Sequence, residues 1–312
     1  MEFILDTNIY RNLVRAVSFD KIIELSEKIK TREKELSCTS TLSLVVSMEL
    51  IKHLLPEDPA KEECYKALCL QSLHTSKIDL QNNLVSGNFS PPLNELLVDY
   101  FFQKKSKKFP LYQKVLELIL ELTKNEDINN CQKNEEWVKT IGEQILFEKK
   151  EAQNNIAEFL KSLNNGKLDW TFFNKIKSLR RIFFKRMHSK KEIELLACSL
   201  LNRTYQIMDI KEIQAEILLK KDDLIKLYRP AFEMILNLLT HIAHGHEKVS
   251  DLSDELWNTY HDFEIIFAAC HGSNGKSKKL VTEEKAIRNA FKEAGKEEMV
   301  FCLNEYKNFL RI

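Results

Sequence analysis

Glycine and proline are scarce in this chain, 7 and 6 residues of 312. Collagen-like repeats, Gly/Ser linkers and turn-rich all-β folds consume these residues, so few turns and long elements, mostly helices, are expected. No apolar run approaches the roughly 18 residues of a membrane helix, so a membrane role is excluded from the reading. The seven cysteines form no CxxC pair and are odd in number. In a chain too large to need covalent staples they read as reduced thiols of a cytoplasmic protein. Charge of one sign is missing too: 47 basic and 46 acidic residues leave +1. Any surface for a polyanion must therefore come from local segregation of charge. What is present is 44% apolar residues, enough for a real core and too many for global disorder.

Phe3-Ile4-Leu5 is a short apolar run that stops at Asp6-Thr7-Asn8, the pattern of a buried strand meeting a polar turn. Acids at 2 and 6 around so short a run argue against a secretory signal. A helix is expected over about 10–30 and a second strand over 36–39. Ser40 or Thr41 then caps a helix that runs to Leu55 before Pro56. A short third strand is expected at 78–80. Between Pro110 and Pro230 there is no proline, and glycine occurs only at 142 and 166. Apolar residues recur there at helical spacing, with breaks expected near Asn129–Asn130, Asn164–Gly166 and Asp222–Asp223. No fixed-period repeat supports a solenoid. After Ser250 strand and helix alternate again: a helix over 254–270, a strand over 279–282, a helix ended by Gly295, a strand over 299–303 and a terminal helix over 305–310. The economical organisation is a discontinuous α/β core, 1–90 and 250–312, interrupted by a helical insertion over 91–249.

Acids recur at strand ends. Asp6 follows the first strand, and Glu283 and Glu284 follow Val281-Thr282. In an open parallel sheet ligands bind beyond the carboxyl ends of the strands, so these acids can converge. Glu49 lies in the second helix, and Asp262 and Glu264 lie in the helix before the Leu280 strand. Clustered carboxylates raise one another's pKa unless a cation neutralises them, and an all-oxygen set suits Mg²⁺ or Mn²⁺ better than zinc.

The opening Phe3-Ile4-Leu5-Asp6-Thr7-Asn8 resembles the start of PIN domains, metal-dependent nucleases with a five-stranded parallel sheet. Cys38-Thr39-Ser40 followed by Ser47-Met48-Glu49-Leu50 is similar to their second strand and second-acid helix. His261-Asp262-Phe263-Glu264 with Ala268-Ala269 is similar to the third-acid helix, and Leu280-Val281-Thr282-Glu283-Glu284 to the strand and fourth acid. Val300-Phe301-Cys302-Leu303 with Tyr306 and Phe309-Leu310 is similar to the closing strand and helix. The resemblance implies a three-layer PIN-like fold around that sheet, carrying a large all-α insertion. It implies Asp6, Glu49, Asp262 and Glu284 as catalytic metal ligands, with Glu264 and Glu283 as rivals for the third and fourth positions. Thr7 and Asn8 would support them. The implied activity is a Mg²⁺- or Mn²⁺-dependent endoribonuclease, on single-stranded RNA rather than DNA. Glu at the fourth position, where the family has Asp, favours the alternative of a catalytically degenerate PIN-like module that binds RNA or protein. The 91–249 insertion departs from compact family members, and the reading leaves room for a regulatory protein partner and for an oligomer.

Eight Lys and Arg fall between 175 and 191 with no acid among them, including Arg180, Arg181, Lys185 and Arg186, interleaved with Phe183 and Phe184. Cations for phosphates and rings for bases make a nucleic-acid surface, while helical periodicity assigns the rings to the core. Lys276, Lys278 and Lys279 are expected beside the acids, holding a substrate phosphate. Gly272–Ser277 resembles a phosphate loop only superficially, because it follows a helix instead of a strand. His241, His244 and His246 read as a helix end before Gly245, not a zinc site.

Overall fold

The computed structural model describes residues 1–79, 84–87, 89–104, 110–124, 134–163, 166–167, 177–209, 214–244, 254–271 and 278–312. The first part of the chain forms β1 (Glu2–Leu5), α1 (Thr7–Val14), α2 (Ile22–Glu35), β2 (Thr39–Ser40), β3 (Leu42–Ser43), α3 (Leu44–Ile51) and α4 (Lys61–Thr75). Then come β4 (Ser76–Asp79), β5 (Leu84–Gly87), β6 (Phe89–Ser90) and α5 (Leu93–Leu96). Helices follow: α6 (Pro110–Lys124), α7 (Glu135–Leu163), α8 (Lys177–Met187), α9 (Lys190–Ile207), α10 (Gln214–Leu227), α11 (Arg229–Ala243) and α12 (Asp254–Cys270). The chain closes with β7 (Lys278–Val281), α13 (Lys285–Glu293), β8 (Val300–Phe301) and α14 (Leu303–Leu310).

The fold is α/β and dominated by helix. Its main sheet is parallel and has four described strands in the order β2-β1-β7-β8. Every residue of β1 is buried, which is why Phe3-Ile4-Leu5 is a continuous apolar run instead of an alternating one. β1 and β7 pair over their full length, Glu2 beside Lys278 and Leu5 beside Val281. The strands that open and close the α/β pattern are thus neighbours at the centre of the sheet, and they end level with one another. Phe3 packs against Phe301, Tyr306 and Phe309 at 5.8, 5.1 and 5.6 Å between ring centroids, tying β1 to β8 and α14.

Among the described residues the main sheet has four strands where five were implied. The expected strand near 78–80 is β4, and it pairs antiparallel with β5 instead of joining the main sheet. The two strands are separated by only 80–83, a gap that suits a hairpin, whereas parallel pairing needs a crossover of about a dozen residues. β3 and β6 form a separate parallel pair.

Three expected helices also change. The helix expected over 10–30 divides, because Ser18 takes an extended conformation and Phe19 turns to stack on Tyr65 at 5.5 Å. The helix carrying Glu49 starts later than Ser40 or Thr41. The Thr41 amide still donates to the Phe3 carbonyl at 2.8 Å, and it is Ser43 whose hydroxyl accepts from Val46 N. The expected break at Asp222–Asp223 falls inside α10, where Leu224 is fully buried and Lys221 pairs with Glu194 of α9 at 2.6 Å. Tertiary contacts there override the weak helix preference of Asp. The break expected at Asn129–Asn130 lies outside the described residues.

Gly295 does end its helix. It has φ +67° and donates to the Lys292 carbonyl at 3.0 Å. Gly295→Ala is expected to cost about 1 kcal/mol, because an L side chain is strained in that region, and urea denaturation should show the loss.

The hydrophobic core runs without interruption from the sheet into the helices of 91–249. Val138, Ile141 and Ile145 of α7 belong to the same buried cluster as Phe3, Ile4 and Leu280. α7 packs on α3 and α12, which carry Glu49 and Asp262. No helix among the described residues is long and apolar enough to cross a membrane.

Candidate functional site

The level ends of β1 and β7 set the site. Asp6 follows β1 directly, and its amide donates to the Val281 carbonyl at 3.0 Å, one more rung of the parallel ladder. Asp6 is therefore held as rigidly as the strand, and it caps α1, with Oδ1 accepting from Thr7 N at 2.6 Å. Thr282, one residue beyond β7, donates its hydroxyl to Asp6 Oδ2 at 2.8 Å. The same hydroxyl accepts from the Glu284 amide at 3.0 Å. Asn8 Nδ2 donates to Glu284 Oε1 at 2.7 Å, and the Thr7 hydroxyl donates to Glu49 Oε2 at 2.6 Å. Asp6-Thr7-Asn8 thus links three acids that lie far apart in sequence.

Asp6, Glu49, Asp262 and Glu284 all line one cavity of about 790 Å³. The rival acids do not. Glu264 is buried on another side of α12, where its neighbours are Glu148 and Arg203. Positions two apart on a helix point about 200° from each other, so α12 can aim only one of the pair at the cavity. Glu283 is exposed, and its Oε1 accepts from Leu303 N at 2.8 Å, capping α14 instead.

Electrostatics mark Asp6 and Asp262. Burial first, then the charge of Glu49, pushes Asp6 up to about 7. Burial and the charges of Asp6, Glu49 and Glu284 raise Asp262 well above the usual carboxylate range. Glu49 goes the other way: burial acts to raise it, but His261, Lys52, the Thr7 hydroxyl and Lys149 hold it below that range. His261 is 2% exposed and burial pushes it down to about 4, so at neutral pH it is uncharged. The lysines and Thr7 are then what keep Glu49 ionised.

The all-oxygen donor set and the repulsion carried by Asp6 and Asp262 fit a hard divalent cation, which would relieve both. Asp6, Glu49 and Glu284 are engaged with Thr282, Thr7 and Asn8 instead of drawn together. Among the described residues no three His, Cys, Asp or Glu side chains form a ready metal-holding group.

The cations expected at the site are elsewhere. Lys278 and Lys279 begin β7, so the strand itself separates them from the acids at its other end. Lys278 is buried and donates to the Ala268 carbonyl at 3.2 Å. Lys279 donates to the Glu298 carbonyl and sits over the Phe301 ring. Lys276 lies outside the described residues. Arg180, Arg181, Lys185 and Arg186 are on α8, and none lines the acidic cavity. Phe183 of that helix is buried, as its periodicity predicts, and Arg186 pairs with Glu192 at 2.5 Å. His241 and His244 stand at the end of α11, where His244 Nδ1 donates to the Thr240 carbonyl at 2.9 Å, and His246 lies outside the described residues.

The cationic lining of the cavity comes instead from Arg11, Lys52, Lys139 and Lys149. Sequence reading missed all four. The signal in α7 was legible: Lys139, Gly142, Leu146 and Lys149 follow spacings of three, four and three, one face of a helix. Arg11 pairs with Glu63 at 2.7 Å, and Lys52 lies 3.7 Å from Glu49. Asp58 and Glu143 line the cavity as well, so six acids share it with these four cations, and the positive charge it offers an anion is local to Arg11, Lys52, Lys139 and Lys149. No protein-family model, curated protein or solved structure matches the chain, so a functional reading rests on this geometry alone.

Proposed function

We propose that the protein is a PIN-like, metal-dependent endonuclease acting on single-stranded RNA. The observation that supports this reading is the convergence of Asp6, Glu49, Asp262 and Glu284, from both ends of the chain, on one cavity beyond the carboxyl ends of the central strands.

Asp6, Glu49, Asp262 and Glu284 would hold Mg²⁺ or Mn²⁺, which when bound supplies charge neutralisation and an activated water. Thr282 and the Thr7 amide fix both oxygens of Asp6, so its carboxylate plane does not turn. Asn8 orients Glu284, and Thr7 orients Glu49. Arg11 and Lys52 present positive charge to an incoming phosphodiester at the same cavity. Raised affinities of Asp6 and Asp262 for protons make the empty site prefer the protonated state, so activity should increase with pH as these carboxyls ionise.

The test is cleavage of a labelled single-stranded RNA in Mn²⁺ by the wild type, Asp262→Asn and Glu264→Gln. Asp262→Asn is expected to lower the rate by about 10²-fold or more, and Glu264→Gln to leave it within a few fold. Equal losses in both variants would overturn the assignment of the third acid. A second reading has its own observation. Asp6, Glu49 and Glu284 are already bonded to Thr282, Thr7 and Asn8, and the described residues form no ready metal group, which favours a module that binds RNA or protein without cleaving it. Wild-type binding without metal-dependent cleavage would select that reading.

A further inference from the structure

The helix α7 brings to the cavity something the acids do not need. Gly142 is the eighth residue of this 29-residue helix, inside its regular part, and lines the cavity. Glycine inside a helix is destabilising by about 1 kcal/mol relative to alanine. No packing requires it: a Cβ built at Gly142 meets no atom within 4 Å, so the space it would enter is the cavity itself. A glycine that packing does not explain, facing an open site, fits a position where a ligand approaches the backbone closely.

On either side of it, on the same helical face, are Lys139 and Lys149, and Leu146 beside them is 65% exposed although it lines the cavity. Ten residues of helix advance about 15 Å. A stacked strand carries one phosphate about every 3.4 Å, so the two ammonium groups bracket about four phosphates.

Resting on the nuclease reading above, we propose that α7 is the substrate rail of this site: the sugar–phosphate backbone of a single strand lies against Gly142, gripped at its two ends by Lys139 and Lys149. Leu146 supplies the apolar contact for a sugar or base. Lys149, adjacent to the acids, holds the phosphate next to the reacting one. Lys139, which pairs with Glu135 at 2.6 Å in the free protein, exchanges that partner for a phosphate further along. The helical segment between the two halves of the α/β pattern thereby sets how the strand is threaded. Arg180, Arg181 and Lys185 of α8 have no part in this grip.

The experiment uses the full chain and a fluorescein-labelled oligouridylate of about 12 nucleotides, with binding read in EDTA and cleavage in Mn²⁺. Lys139→Ala with Lys149→Ala is expected to weaken binding by at least about tenfold and to reduce the salt slope by about 1.4, two phosphate contacts on a single strand. Gly142→Leu is expected to weaken binding similarly by filling the approach. Gly142→Ala is expected to raise the thermal midpoint by about 1–2 °C while still weakening RNA binding, a combination that a purely structural glycine would not give. Lys161→Ala on the same helix, away from the cavity, serves as the charge control and should bind as wild type. The rail is overturned if the double lysine variant and Gly142→Leu both bind and cleave as wild type. It is equally overturned if the loss follows Arg181→Ala and Lys185→Ala instead. Wild-type cleavage that is lost in Asp6→Asn separates these outcomes from failure of the nuclease reading, which would appear as no cleavage by any form. A wild type that fails to bind the oligouridylate in EDTA overturns the rail whether or not it cleaves.

Discussion

Asp6→Asn is expected to abolish RNA cleavage, by on the order of 10³-fold or more, and at the same time to make the metal-free protein more stable above neutral pH. Both effects come from one cause. Asp6 is 2% exposed, and its folded pKa is pushed from 3.8 up to about 7 by burial and by Glu49. A carboxyl whose folded pKa is raised contributes its stability fully below the unfolded pKa and loses it as pH rises through the folded one. Above pH 7 the folded protein holds an ionised Asp6 against about three units of unfavourable shift, at most about 4 kcal/mol. Asparagine keeps the shape, can accept from Thr7 N and can donate to the Thr282 hydroxyl, yet carries no charge. Thermal unfolding in EDTA should therefore show a higher midpoint for Asp6→Asn than for wild type at pH 8, and no such gain near pH 4. Addition of Mn²⁺ should raise the wild-type midpoint and leave the variant unmoved. A stability difference that is the same at both pH values would refute the electrostatic account of Asp6. Undiminished cleavage by the variant would refute its role in the reaction.

The second large effect is expected far from the cavity. Glu33→Ala should destabilise the fold by about 3–5 kcal/mol, the cost typical of breaking a buried charged network by removing one partner. Glu33 Oε1 accepts from the Ser40 hydroxyl at 2.5 Å and the Tyr306 hydroxyl at 3.2 Å, and His74 Nε2 stands 3.1 Å away. One carboxylate on α2 thus ties together β2, α4 and α14. Burial acts to raise its pKa, but His74 and the bonds from Ser40 and Tyr306 outweigh it and hold the carboxyl below its usual range. The sign is opposite to that of Asp6. A lowered folded pKa stabilises above the unfolded value, about 4.5, and that contribution is lost as pH falls through the folded one. Urea midpoints measured from pH 7 to pH 3 should fall for wild type below pH 4.5 and fall less for Glu33→Gln, which cannot ionise. If Glu33→Ala unfolds within about 1 kcal/mol of wild type, the network is not a structural clasp.

Much of the fold could be read from local pattern, because local pattern is what burial acts on first. A strand covered on both faces must be apolar throughout, and Phe3-Ile4-Leu5 and Leu280-Val281 are. Strand ends in a parallel sheet need polar turns, so Asp6 and the pair Glu283-Glu284 could be placed at strand ends from the sequence. The scarcity of glycine and proline located the long helices, and Gly295 marked a helix end through its backbone freedom. These are properties of a residue and its immediate neighbours.

Other features depend on how elements are turned and stacked, and only the tertiary structure decided them. Asp262 and Glu264 differ by about 200° around one helix, and the packing of α12 chooses which one faces the cavity. Lys278 and Lys279 are close to Glu284 in sequence, but a strand runs between them and puts them at opposite ends of the sheet. Glu33 is buried because the fold brings Ser40, His74 and Tyr306 around it from three other elements. The cations that line the site come from α1, from the end cap of α3 and from a helix more than a hundred residues away from Asp6. Burial and hydrophobic periodicity are written along the chain, whereas the direction in which a helix presents its charged face is set by its partners.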